Sequence, residues 1–295
     1  LSSSELQPKK KPAWLKVKFP SHQNFFQVSS LLKEQNVHTI CQSAKCPNVS
    51  ECWTHRTATF LILGETCTRH CSFCAVKKGT PSPPQQDEPS RVAEVAASMG
   101  LRYVVITSVT RDDIPDGGAS LFVQTIDAIR DKIPATNIEV LTPDFNGDDD
   151  ALMTVIAARP DIFNHNVEVP ESLYSAIDRP IDNYKRSLRV LERAKEYGAI
   201  TKSGIMIGLG ESTEDILHTF SDLRRAGCNL LTIGQYLQPS RNNPPVIKYY
   251  SPLEFEQLQK IAMDFGFEEV EAGPLVRSSY RAHRMYKTFL DTRTH

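Results

Sequence analysis

The chain has 295 residues, 40% of them hydrophobic, 23% charged and 8% aromatic, with a formal net charge of −1. That balance excludes collagen-like, coiled-coil and largely disordered chains, and the near-neutral charge argues against nucleic acid and membrane surfaces as partners. The length suits one large hydrophobic core, and the longest apolar stretches, such as 60–63 and 103–106, are of strand length, well short of the roughly 18 residues that cross a bilayer.

The polar opening through Pro12, with Ser2 to Ser4 and the run Lys9, Lys10 and Lys11, is expected to be a mobile, solvated tail. It lacks the Arg-rich amphipathic pattern of a transit peptide, so a bacterial cytoplasm is the expected compartment, with an organelle matrix the alternative if the opening is a processed leader. From residue 58 a regular alternation sets in. Apolar runs of strand length occupy 58–63, 103–108, 138–143, 162–169, 203–209 and 230–237, and helical spacing occupies 90–99, 119–132, 149–158, 184–197 and 213–226. A sixth helix starts at Ser251 and Pro252, where Glu254 completes a capping box and Leu258, Ile261, Ala262 and Phe265 continue one apolar face. Strands separated by helices build a parallel sheet buried on both faces. The expected fold is therefore α/β, a partial (β/α)6 TIM-like barrel over 58–267, with an N-terminal extension over 1–57 and a C-terminal segment over 268–295. Chemistry in such folds gathers at the carboxyl ends of the strands. Neither a dinucleotide fingerprint nor a P-loop is present.

Cysteine usage is more specific. Of seven cysteines, six fall between Cys41 and Cys74. A chain with an ample core needs no disulfide staples, so free thiols with a metal role are expected. The seventh, Cys228, sits between a turn and an apolar strand and reads as a buried, inert thiol. Directly after the first strand comes Cys67-Thr68-Arg69-His70-Cys71-Ser72-Phe73-Cys74, a CxxxCxxC spacing on a loop at the catalytic end of the sheet. Three thiolates can hold three irons of a cubane and leave the fourth open to a ligand. A structural zinc site would want paired CxxC knuckles or a fourth ligand at suitable spacing. The other triplet, Cys41, Cys46 and Cys52, has a CxxxxCxxxxxC spacing in a polar segment with little apolar surface to bury thiols, so a second metal site lacking one ligand is expected there.

The CxxxCxxC spacing, with aromatic Phe73 before its last cysteine, resembles the radical S-adenosylmethionine superfamily. That resemblance implies a [4Fe–4S] cluster on Cys67, Cys71 and Cys74, whose open iron chelates S-adenosylmethionine so that reductive cleavage yields a 5′-deoxyadenosyl radical, with Phe73 near the adenine. Within the superfamily, three features together resemble the lipoyl synthase family over about residues 20–290: the two triplets, the segment Thr107-Ser108-Val109-Thr110-Arg111-Asp112-Asp113-Ile114-Pro115-Asp116-Gly117-Gly118-Ala119, and the ending Gly273-Pro274-Leu275-Val276-Arg277-Ser278-Ser279-Tyr280. This implies a second, auxiliary [4Fe–4S] cluster on Cys41, Cys46, Cys52 and Ser279, with Ser278 the alternative ligand. It also implies radical insertion of two sulfur atoms, taken from that auxiliary cluster, at C6 and C8 of an octanoyl chain on a carrier lysine.

The partners implied are octanoylated carrier domains (2-oxoacid dehydrogenase E2 subunits and the glycine cleavage H protein), iron–sulfur delivery proteins, and an electron donor such as ferredoxin or flavodoxin. On the residues alone, Ser278 and Ser279 also read as a helix N-cap before 280–289. The resemblance implies that Thr107 and Ser108, closing the second strand, lie near the amino group of S-adenosylmethionine, and the charged Arg111, Asp112 and Asp113 beyond them read equally as a solvated turn. Glu168 interrupts a buried run and is expected to meet the ribose. Lys202 is expected at the cofactor carboxylate, and Gly208 and Gly210 are expected to admit a ligand or shape a turn before the N-cap Ser212. Arg277, Arg281, His283, Arg284 and Lys287 form a basic cluster expected on the last helix, a solvated face or a dock for an acidic carrier. Another radical sulfur inserter or methylthiotransferase, a non-catalytic electron carrier and a zinc-stabilised binding protein are the alternatives.

Overall fold

The structure, a computed structural model, describes residues 10–17 and 21–293. Of the polar opening, Ser2 to Ser4 and Lys9 lie outside the described residues, while Lys10 and Lys11 are exposed. Seven parallel strands follow one another in chain order across one sheet: β1 (Thr59–Ile62), β2 (Tyr103–Ser108), β3 (Asn137–Leu141), β4 (Ile162–Asn164), β5 (Thr201–Ile207), β6 (Leu230–Gln235) and β7 (Glu269–Gly273). Their connections carry α1 (Glu88–Ser98), α2 (Ala119–Lys132), α3 (Asp149–Ala157), α4 (Asp182–Glu196), α5 (Thr213–Arg225) and α6 (Pro252–Asp264), and α7 (Ala282–Arg293) comes after β7. Among the described residues β7 forms no ladder with β1, so the sheet is an open, partial barrel.

Six strand–helix units are present where the apolar periodicity requires them. The caps explain the helix starts. Ser212 and Ser251 each accept from the backbone N–H three residues on, while Asp215 and Glu254 reach back to the cap N–H, and Pro252 takes the first helical position. β7 goes beyond the apolar pattern. Glu269 and Glu271 give it a polar face that an edge strand tolerates and a central one does not, so it does not read as a strand in sequence. β4 is shorter than its apolar run of 162–169. The ladder ends at Asn164, and the backbone regains β5 at Glu168, which has a left-handed φ of 71°, bridges Ile205 and donates its N–H to Gly204 O at 3.2 Å.

The N-terminal extension enters the sheet through His38–Thr39, which pairs antiparallel with β1. Helix Gln23–Glu34 buries Val28 and Leu32 in the same core as Trp53, and the Phe25 and Trp53 rings stand 5.2 Å apart. The short helices Ile40–Ser43 and Val49–Thr54 are thereby fixed against β1, and they carry Cys41 and Cys52. No described helix is long and apolar enough to cross a membrane.

Candidate active site

The loop that leaves the carboxyl end of β1 is tied down along its length. Leu63 N–H donates to Glu88 Oε2 at 2.8 Å, and Leu63 O accepts from Arg111 Nη1 at 3.2 Å. Arg111 is only 1% exposed, and Asp113 holds it through two bonds of 2.8 and 2.9 Å. Arg69, between Cys67 and Cys71, is bidentate to Asp112 at 2.8 Å per bond and donates a third bond of 2.6 Å to Asp144. Burial alone would raise the Asp144 carboxyl, but its bond to the Arg69 guanidinium holds it far below the usual carboxylate range. The charged segment after β2 is therefore a strap on the cysteine loop, in place of the solvated turn that its composition also allows.

Above the strand ends lies a cavity of about 340 Å³ that gathers Cys67, Cys71 and Cys74 with Cys41 and Cys46, and Ser278 with Ser279. The cysteines after β1, two of the three cysteines of the extension and a serine pair from the far end of the chain thus share one chamber. The cysteines are free, and among the described residues no three His, Cys, Asp or Glu side chains form a set for a single metal ion. Burial pushes the thiols of Cys41 and Cys74 up to about 11 and that of Cys52 up to about 12. Cys41 and Cys46 act electrostatically on Cys52, as Cys71 and Cys67 do on Cys74, so each triplet converges. Thiols of this kind bind iron by surrendering protons on loading, which suits them to a cluster and leaves them unreactive without one.

The walls carry the groups a polar, charged ligand needs. Ser108 Oγ and Thr142 Oγ1 are buried without a hydrogen-bond partner, and both residues line the cavity. An unsatisfied buried hydroxyl costs about 1–3 kcal/mol, so two on one wall mark places for ligand atoms. Thr107 Oγ1 is already committed to Leu141 O at 2.9 Å, so of the expected pair Ser108 has the free hydroxyl. Burial raises the Glu168 carboxyl, and Arg179 and Asn166 draw it back down. Phe73 lines the same cavity. Donor set, unpartnered hydroxyls and an aromatic wall fit a cubane cluster and a nucleoside-bearing amino acid.

The two serines differ. Ser278 Oγ is locked to the Asn166 amide, at 2.8 Å from Nδ2 and 3.0 Å from Oδ1. Ser279 Oγ accepts from Thr59 Oγ1 at 2.8 Å and stands at the boundary of the main cavity and a second one that holds Cys52. The N-cap expected of them is not what they form, because α7 begins only at Ala282, after Arg281 turns left-handed at a φ of 52°. Asn48 Nδ2 to Leu275 O at 2.6 Å and Tyr280 OH to Glu51 at 3.0 Å bind this ending to the extension that carries Cys41 to Cys52.

Three expectations change. Lys202 does not line the cavity. As the second residue of β5 it lies at the amino end of the strands, 1% exposed, with Nζ 2.9 and 3.1 Å from the two oxygens of Glu139, which Tyr103 and Asn164 also bond. Gly208 and Gly210 do not line it either. A Cβ on Gly208 would lie 2.1 Å from Gln235 Nε2 and 2.6 Å from Lys248 O, so that glycine admits the chain's own 247–250 segment. Gly204 and Gly234 are the close-packing glycines of the site: a Cβ on Gly234 would lie 2.3 Å from Val276 O. The basic cluster divides, with Arg277 lining the main cavity and Arg281, His283 and Arg284 lining the second. Arg69, His165 and Arg179 complete the chamber without a signal in the sequence, except that Arg69 falls between two cysteines. Cys228 is fully buried, and its thiol donates to Leu230 O at 3.2 Å.

Comparison with known proteins agrees with this geometry. The family model described as the radical SAM superfamily matches residues 61–223. Among solved structures, methylornithine synthase superposes with a TM-score of 0.51 at 13% identity, over 88% of this chain and 85% of that one. HydG, a maturase of the [FeFe]-hydrogenase, gives 0.54 at 11% identity, over 92% and 75%. The chain is a member of the radical S-adenosylmethionine superfamily, with its partial-barrel fold, its [4Fe–4S] cluster and its S-adenosylmethionine. Lipoyl synthase of Rubrobacter xylanophilus is 53% identical over 275 residues, 92% of this chain and 85% of the relative. That of Koribacter versatilis is 51% identical over 284 residues, 95% and 93%. Within the superfamily the chain belongs to the lipoyl synthase family, enzymes of radical sulfur insertion.

Proposed function

We propose that this chain inserts two sulfur atoms, at C6 and C8 of a protein-bound octanoyl-lysine, and that the sulfur comes from a second [4Fe–4S] cluster held by Cys41, Cys46, Cys52 and Ser279. The observation that carries the reading is the shared chamber: the cysteines after β1, two of the three cysteines of the extension and the serine pair line one cavity of about 340 Å³. Bound together, the first cluster and S-adenosylmethionine supply a primary carbon radical able to break an unactivated C–H bond. The residues of the chain do the rest. Cys67, Cys71 and Cys74 hold the first cluster on a loop that Arg69 and Arg111 keep from shifting. Ser108, Thr107, Glu168 and Phe73 orient S-adenosylmethionine, and Arg179 takes the carboxylate role in place of Lys202. Freeing Lys202 for that role would leave Glu139 as an unpaired buried charge, at a cost of about 3–5 kcal/mol.

Ser279 is favoured over Ser278 because it alone faces the cavity of Cys52, and because Thr59 donates to its oxygen as it would to one bearing negative charge. Oxygen is the hardest donor of the four, so the iron it caps is the easiest to uncover. The functional division runs along the chain: 1–57 supplies the auxiliary cysteines, 58–267 the radical chemistry, and 268–295 the serine. The protein substrates are octanoylated E2 subunits and the glycine cleavage H protein, reduction comes from a ferredoxin or flavodoxin, and delivery proteins rebuild the auxiliary cluster. The test is anaerobic incubation of the reduced protein with S-adenosylmethionine and an octanoylated carrier peptide, read by mass spectrometry. Appearance of a peptide with two added sulfurs, together with 5′-deoxyadenosine, is expected. Radical cleavage with no sulfur in the peptide overturns the assignment.

A further inference from the structure

Ser279 and Cys52 also face a second cavity, of about 530 Å³, whose walls include the 99–103 turn and the first turn of α7. That turn leads from α1 into the amino end of β2, whereas the cysteine loop leaves the carboxyl end of β1. The second cavity therefore reaches the auxiliary triplet from the opposite end of the strands. Its rim is basic: His55, Arg56, Arg102, Arg281, His283 and Arg284 are all exposed. Glu51, the one acidic residue lining it among the described residues, is already paired with Arg281 at 3.2 Å. Among the described residues Arg56, Arg102 and Arg284 have no ion-pair partner. A chain of net charge −1 has no general surplus of cations, so this concentration is local to the rear of the triplet.

Insertion removes two sulfur atoms per product, so the auxiliary site must be refilled from outside. The main cavity is shared by S-adenosylmethionine and the octanoyl chain, whereas the second reaches two of the four ligands directly. We propose that the second cavity is the docking site of an acidic iron–sulfur carrier protein that passes an intact [4Fe–4S] cluster to Cys52 and Ser279 first. The inference rests on the sacrificial role proposed above for the triplet. The transfer is ligand exchange without electron transfer. Fe–S bonds to the carrier thiolates break as bonds to Cys52, Cys46, Cys41 and Ser279 form, and each incoming S–H or O–H gives its proton to the departing thiolate.

The test uses the full chain with Arg102→Glu and Arg284→Glu combined, neither residue being a ligand or a lining residue of the main cavity. Wild type and variant are exhausted by one round of turnover, then refilled either by an acidic scaffold protein loaded with one [4Fe–4S] cluster or by ferrous iron with sulfide. Three quantities are read: product in the first round, iron and sulfide regained, and scaffold binding as a function of salt. The expected result is an unchanged first round, unchanged refilling from the free ions, and refilling from the scaffold slowed by about tenfold or more, with salt-sensitive binding lost. Equal refilling from the scaffold overturns the proposal. A variant slowed with free ions as well has a damaged site and overturns it too. A first round impaired through weaker binding of the octanoylated carrier reassigns the cavity to that substrate. Failure of the underlying reading is separate: wild type that makes product over many rounds without a donor and keeps all its iron has no sacrificial cluster, and the proposal falls with it.

Discussion

Ser279 and Ser278 are adjacent in sequence yet are held by different partners, and substitution can tell them apart. Ser279→Ala removes one oxygen and its bond from Thr59, an effect on stability of about 0.5–1.5 kcal/mol if the role is structural alone. As a cluster ligand its loss is expected to leave S-adenosylmethionine cleavage in place while auxiliary iron becomes labile and product falls at least about tenfold, an effect of about 1.4 kcal/mol or more on the barrier. Ser279→Cys should retain iron and still make little product, because a tighter thiolate resists opening. Iron content and product per chain, measured beside the Ser278 variants, decide it. His165 offers a prediction of another kind. Its ring bonds Thr142 O at 2.9 Å and Ser187 Oγ at 3.0 Å, and burial, only partly offset by Asp144, brings its pKa down to about 4. The folded state thus holds it neutral while the unfolded chain takes up a proton near pH 6.5. Its contribution is present above that value and is lost as pH falls towards 4. Between pH 7 and 5 the loss is about 2 kcal/mol. Urea midpoints of His165→Gln should fall less over that interval than those of wild type, and parallel curves would refute the assignment.

At the scale of elements, the cysteine loop and the Gly273–Tyr280 ending are both placed by contacts from distant segments. Arg69→Ala removes three charge-assisted bonds and leaves Asp144, whose side chain is fully buried, with the Asn146 N–H at 3.0 Å and, as a counter-charge, Arg186 at 3.5 Å. A loss of about 3 kcal/mol in stability is expected, together with loosened iron at Cys67, Cys71 and Cys74. Adding Asp144→Asn should recover much of the Tm by removing the stranded charge, without restoring 5′-deoxyadenosine formation, because the loop remains unstrapped. Recovery of both would make Arg69 a stability residue only. Gly234→Ala tests the other end. Its added Cβ would lie 2.3 Å from Val276 O and must push the serine segment off the barrel mouth. Overpacking of this sort costs about 1–3 kcal/mol. Auxiliary iron should fall while cleavage of S-adenosylmethionine survives, and an unchanged iron content would show that the ending is not seated by that glycine.

For the molecule as a whole, the proposed pair of clusters predicts about eight irons and about eight sulfides after full anaerobic reconstitution. A reproducible maximum of four would remove the second cluster. Changing Cys67, Cys71 and Cys74 together to Ala should abolish cleavage of S-adenosylmethionine. The same change at Cys41, Cys46 and Cys52 should leave cleavage measurable and end sulfur insertion; lipoyl product from that variant would exclude the donor role. The two outcomes differ because the triplets sit on separate segments, one on the loop after β1 and the other in the N-terminal extension.

Local chemistry was legible without coordinates. The periodicity of 58–237, the capping residues Ser212 and Ser251 and the spacing of the six cysteines each concern near neighbours along the chain, where backbone geometry and side-chain type act directly. They are enough to require the barrel, the six helices and the loop that carries Cys67. What the tertiary structure decided is what long-range contact decides. Lys202 and Glu168 are both ionisable residues in apolar strands, and nothing local says that one sits at the amino end bound to Glu139 while the other faces the cavity. Arg69 and Arg111 read as charges in polar loops until Asp144 and Leu63 are brought to them from the loops beyond other strands. β7 is hidden because an edge strand can keep two glutamates. Ser279 and Cys52, 227 residues apart, line one cavity because the ending is bonded to the extension through Asn48 and Leu275 and the extension adds its short strand to β1. Burial, desolvation and closure of the chamber are properties of that packing, and no stretch of sequence carries them alone.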